Sequence, residues 1–271
     1  MSRVAVLQMT SGIDPAANAA TLVSAIDEAA RGGAAMLFTP EMSSLIDRDR
    51  ARAAPNIVAE ADDRVLAAVR EAATRAGIWV ALGSLAVKRE DGRWANRAFV
   101  IDAAGEIAAR YDKIHMFDVD LASGESWRES SAYAPGDKVV TVETPVGRLG
   151  LTICYDIRFP ALFEALGRAQ CDIIAIPAAF TVPTGKAHWH LLQRARAIEA
   201  SAYVVAAAQV GKHQDGRSTY GHSLVVDPWG DVALDMGGEA AGLAFAEIDP
   251  ARIVEIRQQL PSLANRREIP N

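Results

Sequence analysis

The chain has 271 residues, half of them hydrophobic, and a formal net charge of −6 from 28 basic and 34 acidic side chains. That length permits a sizeable core, and an acidic balance with no basic stripe argues against a nucleic-acid surface. No apolar run reaches the length of a membrane span, and "MSRVAVLQMT" passes straight into a strand-like run without a signal-peptide layout.

Two cysteines, Cys154 and Cys171, are too few for a disulfide framework and lack C-x-x-C spacing. A reducing, cytoplasmic setting is expected. In chain order, "RVAVLQM" reads as a strand, and Asp14-Pro15 caps a helix that runs to Gly32 and Gly33. "AMLFTPE" is a second strand ending at Glu41. A helix over residues 60–76 gathers Val65, Leu66, Val69 and Ala73 on one side. Strands follow in "IWVALGSLAV", "RWANRAFVID" and "EIAARYDKI", joined by "EDGR" and "AAGE" turns. Residues 115–138 form a long polar loop, and loops of that length in compact domains are functional or disordered. Beyond it come "KVVTVETPVGRLGLTIC", a helix opened by Pro160, and the strand "CDIIAIPAAF". Then follow a helix "KAHWHLLQRARAIEASA", the strands "YVVAAAQV", "GHSLVVDPWGDVALD" and "GLAFAEID", and a last helix near "PARIVEIRQQL".

Strands alternating with helices, mixed with hairpins, predict an α/β protein with mixed sheets. No linker or short repeat divides the chain, so one domain over residues 1–271 is expected. Broad apolar sheet faces with few helices to cover them imply two sheets packed face to face, helices outside: a four-layer αββα sandwich.

Three polar residues stand where apolar strands end: Glu41 after "MLFTP", Lys113 after "AARYD" and Cys154 after "LGLTI". Strand ends at one edge of an α/β sheet commonly line a single crevice. A carboxylate, an ammonium and a thiol brought together there suit acyl transfer, with base, oxyanion-side cation and nucleophile. Taken singly, each also fits a plain structural position, Cys154 as a small core hydrophobe among them. There is no G-x-S-x-G, Walker loop, G-x-G-x-x-G or H-E-x-x-H. His188 and His190, at i and i+2, point to different helix faces and make a poor metal pair. His222 remains open, from spacing alone, as a base for Cys154.

"FTPE" at Glu41, "YDKIHMFD" at Lys113 and "LGLTICYDIRFP" at Cys154 resemble the three signatures of the nitrilase superfamily, the carbon–nitrogen hydrolases. The likeness spans nearly the whole chain. It implies an αββα sandwich, hydrolysis of amides or nitriles without cofactor or metal, and a homodimer or higher homo-oligomer. Glu41 then becomes the general base, Lys113 the oxyanion-side cation and Cys154 the nucleophile, and His222 loses its claim. The resemblance also assigns Glu129, in "WRESSAYAPG", as a second glutamate of the site, and the Tyr155 N–H as an oxyanion donor. Within the superfamily the Nit branch is most similar. Its pattern implies that Arg158, Phe180 and Thr184 contact the α-keto acid part of a carboxylate-bearing amide such as deaminated glutathione. An ω-amide, an N-carbamoyl compound or a nitrile is the alternative substrate, and a catalytically idle binding protein the alternative class.

Overall fold

The computed structural model describes residues 1–122, 124 and 126–267. Its first sheet holds β1 (Ser2–Gln8), β2 (Met36–Phe38), β3 (Trp79–Lys88), β4 (Trp94–Ile101) and β5 (Ile107–Asp112), with β16 (Gly242–Ile248) beside β1. A ribbon of β6 (Asp118–Asp120) and β7 (Ser126–Arg128) interrupts the long loop after β5. The second sheet runs β8 (Thr141–Thr144), β9 (Gly147–Leu151), β10 (Ile173–Ala175), β11 (Tyr203–Ala206), β14 (Leu224–Val226) and β15 (Val232–Asp235). A second ribbon, β12 (Val210–Lys212) with β13 (Ser218–Tyr220), lies between β11 and β14.

Both sheets follow one plan. β1, β2 and β3 are parallel, as are β9, β10 and β11, and antiparallel strands extend each trio on both sides. The helices are α1 (Pro15–Arg31), α2 (Arg50–Ala53), α3 (Arg64–Ala76), α4 (Pro160–Arg168), α5 (Val182–Ala200) and α6 (Pro250–Gln259). α1 and α3 lay Leu22, Ile26, Val65 and Val69 on one face of the first sheet, against Leu37, Val80 and Phe99. The opposite face, with Val4, Val6, Met36 and Val100, shares a core with Leu149, Leu151, Ile173 and Val205 of the second sheet. α4 and α5 cover the second sheet's outer side with Phe163, Leu166 and Trp189. Helix, sheet, sheet, helix: the layers are those of the αββα sandwich.

Several boundaries differ from the sequence expectation for local reasons. α3 starts at Arg64 rather than near 60, because the Asp63 carboxylate caps the amides of Val65 and Leu66 at 2.8 and 2.9 Å. β2 stops at Phe38, as Pro40 cannot donate to a ladder. α5 begins at Val182, ahead of "KAHWH", with Pro183 in its first turn where a missing N–H costs nothing. Cys171 is fully buried among core side chains, where burial above all pushes its thiol up to about 12.

Candidate active site

Glu41 follows β2, Lys113 follows β5, and Cys154 follows β9. β5 is antiparallel to β4, which is antiparallel to β3, so β2 and β5 run the same way and end at one edge. That edge meets the corresponding edge of the second sheet, and the three side chains converge on the floor of a cavity of about 620 Å³.

Lys113 is its pivot. Nζ donates to Glu41 Oε1 at 3.0 Å and to both oxygens of Glu129 at 3.1 and 2.9 Å. Burial alone would drive the ammonium down, but the Glu129 and Glu41 carboxylates outweigh it and hold Lys113 well above its ordinary value. The lysine is therefore a fixed cation although only 2% exposed. Glu41 is completed by the Ala179 N–H on Oε2 at 2.8 Å and by Asn96 Nδ2 on Oε1 at 2.9 Å. The same Asn96 amide donates to Glu129 at 3.1 Å, and the Phe117 N–H donates to Glu129 at 2.7 Å. Both carboxylates are thus held in place by donors.

Cys154 sits at the head of a 3-10 turn, Cys154–Arg158, in left-handed backbone conformation with φ 48°. A non-glycine residue is rare there, and four bonds to one carboxylate enforce it. Asp156, fully buried, accepts from the Ile153 N–H at 2.9 Å, the His115 N–H at 3.0 Å, His115 Nδ1 at 2.7 Å and Tyr111 Oη at 2.7 Å. The turn that carries Cys154 is thereby tied to the strand that delivers Lys113. Burial pushes the Cys154 thiol well up, the Glu41 charge adds to it and Lys113 opposes it. The Tyr155 N–H next to it meets no acceptor among the described residues.

The cavity wall includes Tyr155, Phe180 and Thr184. Arg158 is placed differently. It does not line the cavity but lies behind it, its guanidinium carbon 5.4 Å from the Phe180 ring centre and 5.9 Å from that of Tyr155, beside His188 Nδ1. Instead Arg48, Arg50, Arg128 and Arg217 line the space. Arg217 stacks over Trp127 and pairs with Asp215, whereas the Arg48 guanidinium has no hydrogen-bond partner among the described residues. The sequence alone assigns no site role to Asn96 or Asp156. The His222 ring is engaged with Asp235 and does not line the cavity.

A sandwich of two mixed sheets with a Glu–Lys–Cys set at their common edge is the architecture of one class of hydrolase. The chain belongs to the carbon–nitrogen hydrolases of the nitrilase superfamily, whose family profile matches residues 3–258, and is an amidohydrolase. It is 40% identical to a deaminated glutathione amidase of Yersinia enterocolitica over 269 residues, 98% of this chain and 93% of that protein. Among solved structures, the NitFhit protein of C. elegans is 37% identical with a TM-score of 0.90; the match covers 98% of this chain and 65% of that longer one, under two thirds of it. A mutant of the amidase from Nesterenkonia sp. AN1, with acrylamide added at its active-site cysteine, is 25% identical with a TM-score of 0.80, covering 96% of this chain and 98% of that one.

Proposed function

We propose that the chain, acting as one domain over residues 1–271, hydrolyses a small carboxylate-bearing amide through a thioester on Cys154. The observation that carries this is the buried Lys113 ammonium held between Glu41 and Glu129 in the cavity that Cys154 also lines. Glu41 takes the thiol proton as sulfur attacks the amide carbon. Lys113 and the Tyr155 N–H stabilise the oxyanion. The tetrahedral adduct collapses, and Glu41 returns the proton to the departing amine or ammonia. Water then enters, Glu41 accepts its proton, hydroxide adds to the thioester, and the acid leaves as sulfur regains its proton. One amide and one water become one acid and one amine. Glu129 fixes Lys113 throughout.

The substrate we favour carries an α-keto carboxylate, as deaminated glutathione does. Support comes from the name of the Yersinia relative and from the cavity's arginines. In this proposal Arg48 and Arg217, which line the cavity as Phe180 and Thr184 do, receive the carboxylate in place of Arg158. Arg158 instead braces the Phe180 and Tyr155 rings from behind. The test is amine or ammonia release from α-keto amides, ω-amides, N-carbamoyl amino acids and nitriles, in the parent and in Arg48→Ala and Arg158→Ala. Preference for α-keto amides that Arg48→Ala erodes more than its hydrolysis of neutral amides is the expected result. A preference for nitriles or carbamoyl compounds overturns the substrate assignment. Self-association through the outer face of α5 is part of the same reading, since Leu191 and Trp229 stand 68% and 47% exposed there and on the β14–β15 turn. Sedimentation of Leu191→Glu as a smaller species than the parent is the expected outcome; equal sizes would remove that face from the proposal.

A further inference from the structure

At the edge of the second sheet where its parallel strands end, α5 and the open end of the β14–β15 hairpin bring two histidines and an aspartate together. His190 Nε2 lies 2.9 Å from Asp235 Oδ2, and His222 Nδ1 lies 2.9 Å from Asp235 Oδ1. One donor atom from each of the three residues falls within 4.8 Å of the other two. His188, two residues before His190, takes no part and faces Arg158. The helix separates the i, i+2 pair, and the fold supplies His190 with another partner from residues distant in sequence.

We propose that His190, His222 and Asp235 form a binding site for a zinc-type divalent cation, with two imidazole nitrogens, one carboxylate oxygen and a position left open to water. The donor set is the first argument. Two imidazoles with one carboxylate suit zinc and its late first-row neighbours, whereas calcium and magnesium require oxygen donors. Size is the second. An ion at the centre of such a triangle stands within about 2.8 Å of each donor, and rotamer shifts of under about 1 Å reach zinc bonding distances. The three side chains are only part-exposed, so the donors are held near one another while solvent can enter.

The backbone supplies a third argument. Five non-glycine residues adopt positive φ among the described residues. Gln170 and Ser201 follow helix ends, where that conformation is usual. Met42 and Cys154 belong to the cavity. The fifth is His222, at φ 54°, where strain is kept only if the surroundings enforce it. They do: its N–H donates to Gly237 O at 2.8 Å and its carbonyl accepts from Trp189 Nε1 at 2.8 Å. Asp235 is fixed by the Gly237 N–H at 2.9 Å. The ring is thus turned toward Asp235 and His190 by its own main chain. No further hydrogen bond to either ring's other nitrogen is present among the described residues, so the site lacks the outer support that tightens metal binding.

The experiment uses the full chain, freed of metal with a chelator and dialysed. It is titrated with zinc by calorimetry and with cobalt by visible absorption. One ion per chain is expected, with affinity on the order of micromolar in keeping with the missing outer support. His190→Gln and His222→Gln should each weaken binding at least about tenfold, and unchanged amide hydrolysis reports that both variants fold. The cobalt spectrum should be that of nitrogen and oxygen donors. Absence of binding, binding indifferent to both histidine substitutions, or a thiolate-to-cobalt band that vanishes in Cys154→Ala would each overturn the site.

Discussion

Burial and the adjoining Glu41 carboxylate both push the Cys154 thiol up, and the Lys113 charge offsets them only in part. The two neighbours therefore act on the thiol with opposite sign, although the proposed reaction needs both. Replacing Glu41 by Gln removes a negative charge beside sulfur, which favours thiolate and lowers the thiol's pKa. Alkylation by iodoacetamide at neutral pH should then speed up, while amide hydrolysis falls by at least about a hundredfold for want of a base. Lys113→Met removes the one opposing charge, so the pKa rises further. Alkylation should slow and hydrolysis should fall by a similar factor. Measured at one pH in parallel, alkylation rates that move the same way in both variants would sink this account of the site. Cys171→Ser should leave hydrolysis near the parent level, because that sulfur is packed in the core.

The turn that carries Cys154 depends on β5 as much as on its own strand, through the four bonds to Asp156. Asp156→Asn removes the charge and turns an acceptor into a donor facing donors. A loss of about 2–3 kcal/mol in urea denaturation is expected, the scale of a hydrogen bond to a buried charge. Gly83, in β3 where its register with β4 shifts, supports the other half of the site. A Cβ there would stand 2.1 Å from Thr39 O and 2.4 Å from Pro40 O, immediately before Glu41. Gly83→Ala should cost about 1–3 kcal/mol, as overpacking does, and lower hydrolysis as well; a thermal midpoint equal to the parent's would show that the Glu41 segment yields freely. These supports also mark what sequence reading reaches. Glu41, Lys113 and Cys154 interrupt apolar runs at their ends, so their place in a crevice is legible. Glu129 needed the family likeness, since in a polar loop it resembles any solvated acid. Asn96 falls on an alternating strand as an ordinary polar residue, and only the fold turns it toward two carboxylates. Asp156 reads as a break in pattern, with nothing local to announce a buried anion. Arg48 and Arg217 come from loops whose meeting depends on the packing of two sheets, and the placement of Arg158 behind the wall has the same origin.

At the scale of the molecule, the cavity floor is assembled from both sheets. Glu41 and Lys113 are delivered by β2 and β5 of one, Cys154 and the Ala179 amide by β9 and β10 of the other. Among the described residues no helix is long and apolar enough to cross a membrane. The two sheets meet through aliphatic side chains such as Val6, Met36, Leu151 and Ile173, whose contact is non-directional and sets no lateral register by itself. Position across that seam is set by directional links, among them Tyr111 and His115 to Asp156, Ala179 to Glu41, Gln209 Nε2 to Glu41 O at 2.9 Å and the backbone bridge of Met9 with Gln209. Hydrolysis should therefore act as a gauge of slip between the layers. In a urea titration, amidase activity should disappear at a lower concentration than the far-ultraviolet dichroism of either sheet, and coincident transitions would mean that the layers separate only when they melt. A protein built this way can lose its chemistry by sliding about half an ångström, the tolerance of a catalytic constellation, while every strand remains paired.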